Sequence, residues 1–143
     1  MTTTPTPIFP QSIYNAVQTL ANSDGQTVKA LTTSQTNGVT IDSIIASSSD
    51  TTARDICLYL TISSTNYLIA QIQIPITAGQ VNSTPPVNIL KGGITPGSFP
   101  GLSLDASGNP IIKLASGSTL SVNAPVTITS GKTINIIASG GAY

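Results

Sequence analysis

Between residues 53 and 74 apolar and polar side chains alternate. In the strand predicted over Ala53–Ile62, Ile56, Leu58, Leu60 and Ile62 share one face, and Asp55, Cys57, Tyr59 and Thr61 share the other. A turn at Ser63–Asn66 leads into Tyr67–Ile74, where Leu68, Ala70, Ile72 and Ile74 face one way and Gln71 and Gln73 the other. A period of two marks an extended strand with one buried face. Weaker versions of this pattern predict strands at Thr27–Leu31, Thr40–Ser47, Val87–Leu90, Leu102–Leu104, Ile111–Leu114, Thr119–Val122, Val126–Thr129 and Thr133–Ala138. Turn signals at Asp24-Gly25, Asn37-Gly38, Asp105–Asn109, Gly117 and Gly131 separate them, and polar or Gly/Pro-rich loops occupy 48–52, 78–86 and 92–101.

About eight strands at this spacing predict an all-β chain, a single antiparallel β-sandwich of jelly-roll or Ig-like Greek-key type. The N-terminal segment does not fit the alternation. Residues 1–11 form a Thr/Pro stretch read as an extended arm, since the residue before a proline avoids the helical region. In residues 12–22, Ser12 can cap a short helix that sets Ile13, Val17 and Leu20 on one face. The expected organisation is an N-terminal arm over 1–22 and a sandwich domain over 23–143.

Composition narrows the function classes. Ile, Val and Thr make up a third of the 143 residues, which favours strands, because β-branched side chains pack well on a pleated surface. Ser and Thr together exceed a quarter, while charged residues are 7% and cancel to a net charge of zero. A balanced surface with no basic cluster argues against nucleic acid, whose binding draws on phosphate neutralisation. No apolar run approaches the roughly 20 residues of a spanning helix, so no membrane partner is expected. The first ten residues lack the basic start and apolar stretch of a secretory signal. With one cysteine and no signal, synthesis in the cytoplasm without processing is expected.

The chain contains no His and no Glu. Triads built on histidine are therefore impossible, as are His-based zinc sites. The five Asp residues are the only carboxylates in the sequence; Asp24, Asp50 and Asp105 fall in predicted turns, where Asp caps its own backbone. Asp105–Asn109 has the alternating oxygens of a calcium loop but lacks its closing Glu, so it is read as a tight turn. Cys57 is read as a small, partly buried apolar side chain, because a reactive thiol needs a cationic neighbour and alternation turns Arg54 to the other face. Tyr59 and Tyr67 are placed near each other on an outer face. No catalytic residue, cofactor or metal site is assigned, and the chain is expected not to be an enzyme.

The coat of neutral polar residues supplies little repulsion between molecules. Tyr67, Ile69 and Ile137 are apolar on the face opposite the main core row, which suggests that a partner covers them. The order of segments resembles small virion structural proteins of tailed bacteriophages. The resemblance spans roughly residues 20–138. It is carried by Asn22-Ser23-Asp24-Gly25, Val28–Thr33, Asn37–Ile44, Asp55–Leu60, Ile72–Pro75, Pro85–Leu90, Leu102–Asp105 and Gly108–Leu114, with Gly117 and Leu120. It implies a β-sandwich on the virion, a head decoration or cement role, the major capsid protein as partner, and self-association as a trimer. A tail or fibre component contacting the host surface is the rival expectation.

Overall fold

The computed structural model describes residues 9–91 and 103–143. Among these residues ten strands form two antiparallel sheets: β1 (Ser12–Ala21), β2 (Lys29–Ala30), β3 (Val39–Ser48), β4 (Arg54–Ile62), β5 (Thr65–Ile74), β6 (Val87–Asn88), β7 (Ser103–Leu104), β8 (Pro110–Leu114), β9 (Ser118–Asn123) and β10 (Thr133–Ala142). One sheet runs β1-β10-β3-β8-β7, with β6 also on β3, and the other runs β2-β9-β4-β5. Four of the ladders are nested: β1 with β10, β2 with β9, β3 with β8 and β4 with β5; β10–β3 and β4–β9 join them within each sheet. That is one long hairpin rolled into two layers, a jelly roll. The core between the layers is mostly isoleucine and leucine. Leu20, Ile41, Ile44, Ile134 and Ile136 come from the first sheet, and Ile56, Leu58, Ile74 and Leu120 from the second. Each fully buried side chain of this size is worth roughly 1.5–3 kcal/mol.

The helix expected over 12–22 is a strand. Ser12–Ala21 pairs with β10 over its whole length in one unbroken register. Tyr14 and Leu20 turn into the core, while Ile13 and Val17 turn outward. The sandwich therefore begins at Ser12, and the arm expected over 1–22 shrinks to the residues before it, of which 1–8 lie outside the described residues. Pro10 packs against Gly141, where a Cβ would sit 2.4 Å from the proline ring, so glycine is required there.

Two further expectations are corrected. Val126–Thr129 is a loop rather than a strand; Thr129 is taken up by Asp50 instead of a ladder. On β5 the pairing steps from Leu58↔Ala70 to Tyr59↔Leu68, which leaves Ile69 as one extra residue. This bulge breaks the predicted row. Leu68 now lies across from Tyr59 and is exposed, and Tyr67 lies across from Leu60, so the two tyrosines are not neighbours on one face. Ile69 packs partly against the core. The predicted loop 92–101 and Leu102 lie outside the described residues.

At one end of the sandwich the loops are tied together. Asp50, in the β3–β4 loop, is 0% exposed and accepts from Arg54 Nε at 2.9 Å, Thr129 N at 3.0 Å, Thr129 Oγ1 at 2.8 Å and Thr52 N at 3.0 Å. Its backbone carbonyl accepts from Thr77 N, and Asn22 Nδ2 donates to Ile128 O at 2.7 Å. The Asp50 carboxylate thus joins two loops, its backbone carbonyl adds a third, and a fourth is tied alongside.

Candidate interaction surface

The outer face of β1, β10 and β3 carries a row of three apolar side chains in direct register. Val17 pairs with Ile137, and Ile137 pairs with Ile45. They are 62%, 44% and 40% exposed, although a large apolar side chain on a strand is ordinarily turned inward. The rows on either side are polar: Thr19–Asn135–Ser47 and Asn15–Ser139–Ser43. Thr19 Oγ1 donates to Asn135 Oδ1 at 2.8 Å, which fixes one polar border. Asp42 is the extra residue on β3 where the ladder shifts at Ser139/Gly140, and it is the charged residue among these three strands. The patch is a narrow apolar strip within an uncharged hydroxyl and amide surface.

The outer face of the second sheet is different. Its side chains satisfy one another. Tyr59 Oη donates to Asn123 Oδ1 at 3.2 Å, Thr61 Oγ1 and Ser121 Oγ lie 2.8 Å apart, and Gln71 Nε2 donates to Asp55 Oδ2 at 2.7 Å. Burial pushes the Tyr59 hydroxyl above its ordinary value, with Cys57 adding to the shift and the Asn123 hydrogen bond opposing it. Cys57 is buried beside Gln71, whose Oε1 lies 3.9 Å from its sulfur, and the Arg54 guanidinium is engaged by Asp50. The small apolar reading of Cys57 holds. Among the described residues of this sheet, the exposed large apolar side chains gather at the β4–β5 tip: Ile62, Tyr67 and Leu68.

The other candidate residues are occupied locally. Asp105 accepts from Ser107 N, Asn109 N and Asn109 Nδ2, and Gly108 takes a φ of +80°, so the segment is a tight turn. Those bonds hold the Asp105 carboxyl below its ordinary value. Asp24 accepts from Ala21 N at 2.8 Å and pairs with Lys29 at 3.1 Å, and both lower its pKa. A shallow cleft of about 470 Å³ lies between Val39, Thr40, Lys113, Leu114 and Tyr143. Tyr143 Oη and Thr40 Oγ1 are 2.8 Å apart there and engage each other.

The sequence flagged Ile137 but not its partners, since Val17, Ile45 and Ile137 become neighbours only once the β1–β10–β3 register is set. No family model, no curated protein and no solved structure matches this chain.

Proposed function

We propose that this chain is a non-enzymatic virion structural protein that binds the outer shell of a tailed-phage capsid and stabilises it. The observation that carries the reading is the outer face of β1, β10 and β3, with Asp42 as the charged residue on those strands and with its apolar row Val17–Ile137–Ile45. Such a strip contributes burial without long-range charge, so many copies can occupy neighbouring positions without repelling one another. Each contact is small, and attachment at several points multiplies its effect. The jelly roll supports the reading by analogy, because capsid proteins use it. Lectins use it too, and fold alone does not assign function. The resemblance over residues 20–138 narrows the analogy to phage heads.

The test is co-sedimentation of the purified chain with undecorated shells. The wild type is expected to pellet with shells at both low and high salt, because screening acts on charges and this face has few. Ile45→Asp with Ile137→Asp is expected to stay folded and to lose shell binding. Retained binding by that variant removes the face from the mechanism. A tail or fibre role is favoured by one observation, the exposed Tyr67 at the β4–β5 tip. Binding to host cells rather than shells would select it.

A further inference from the structure

The outward edge of β1 is capped over only half its length. Thr19 N donates to Gln18 Oε1 at 3.1 Å, and Thr19 O accepts from Lys29 Nζ at 2.8 Å. Ala21 N donates to Asp24 Oδ2 at 2.8 Å. Backbone groups taken by these side chains point away from β10. Along an antiparallel strand, residues bonded to the neighbour alternate with residues whose N–H and C=O face the other way. The β1–β10 register is continuous from Ser12 to Ala21, so the alternation is unbroken. Ile13, Asn15 and Val17 therefore present their backbone groups along the same outward edge as Thr19. Among the described residues no strand pairs with that edge.

We propose that a second copy of this chain pairs here, β1 against β1, antiparallel about a two-fold axis through Asn15. The uncapped set is its own complement. Ile13 faces the partner's Val17, Asn15 faces the partner's Asn15, and Val17 faces the partner's Ile13. Three such pairs exchange about six backbone hydrogen bonds. The next pair outward would need Thr19, whose groups are already engaged, so the caps set the limits of the register.

The side chains agree with this arrangement. Ile13, 86% exposed, and Val17 form cross-strand apolar pairs on either side of an amide pair. The row Ile45–Ile137–Val17 continues onto the partner's Ile13. The strand SIYNAVQTLA contains no charge and no proline, the usual devices that keep an edge from pairing. The result is a closed isologous dimer rather than an open array. The inference stands without the capsid reading, and its readout is separate.

The test is the mass of the full chain in solution by sedimentation and native mass spectrometry, with a charge exchange at the axis. The wild type is expected at twice the 14.5 kDa chain mass. Asn15→Lys and Asn15→Asp each set like charges face to face across the axis and are expected to weaken the dimer by about tenfold or more. Asn15 is exposed, so at a dilution where all three proteins are single chains both variants are expected to keep the wild-type unfolding midpoint. Mixed one to one, they are expected to re-form a heterodimer. A wild type that stays at the single-chain mass, a trimeric species, or a dimer indifferent to both variants overturns the proposal, and so does failure of the mixture to associate.

Discussion

At the residue scale, Asp50 shows how a local signal hides a distant role. Its setting in Ser48–Thr52 reads as a turn, and its bond from Thr52 N is that of a turn. The remaining bonds come from Thr129, 79 positions away, and from the Arg54 side chain. Nothing in the spacing of residues announces them. Burial alone would raise the Asp50 carboxyl, but the Thr129 N–H and hydroxyl, Arg54 and Thr52 outweigh it and hold it far below its ordinary value of 3.8. A depressed pKa in the folded state gives stability that is full above the unfolded value and lost as pH falls below it. The fold is expected to keep its stability from neutral pH down to about pH 5 and to lose it progressively below the ordinary Asp range. Asp50→Asn leaves Arg54 without its partner in a largely buried place, and is expected to cost about 3 kcal/mol at neutral pH. The same variant flattens the acid dependence. Denaturant unfolding of both proteins across pH 2–7 checks this; an unchanged acid slope in Asp50→Asn would show that the hub is not the titrating element.

At the element scale, strands with strict alternation were legible and those at the borders were not. Ile56, Leu58, Ile72 and Ile74 lie where the period of two places them, with their side chains in the core. β1 is not legible as a strand because Ile13, Val17 and Leu20 also fit a helical spacing. As an edge strand it sends Tyr14 and Leu20 inward but leaves Ile13 and Val17 exposed, so its apolar residues do not alternate cleanly. The Ile69 bulge was equally invisible, since one extra residue turns over the side chains on its tip side, Leu68 and Tyr67, without altering composition. The turn of the same hairpin makes a prediction. Ser63 and Ser64 join Ile62 to Thr65 with φ of +49° and +64°, both left-handed. Two-residue hairpin loops of this kind favour Asn-Gly, and an ordinary residue held there costs roughly 1–2 kcal/mol. Ser63→Asn with Ser64→Gly is expected to raise the unfolding free energy by about 1 kcal/mol. A lower denaturation midpoint would contradict this account of the turn.

At the scale of the whole molecule, the two sheets divide the work. The outer face of β2-β9-β4-β5 satisfies its polar side chains internally through Tyr59–Asn123, Thr61–Ser121 and Gln71–Asp55. The outer face of β1, β10 and β3 leaves an apolar strip uncovered, and β1 leaves half an edge uncapped. Asp50 anchors the loops at one end. A neutral body with an uncovered apolar strip is what the proposed role requires. The all-β fold class was legible from composition, in the abundance of β-branched residues. The apolar strip was not, because it needs the register of three strands distant in sequence. The most direct test is the number of copies per purified virion, measured by quantitative mass spectrometry against the major capsid protein. The account predicts a number comparable to that of the capsid protein. Absence from the particle, or a handful of copies, would contradict it.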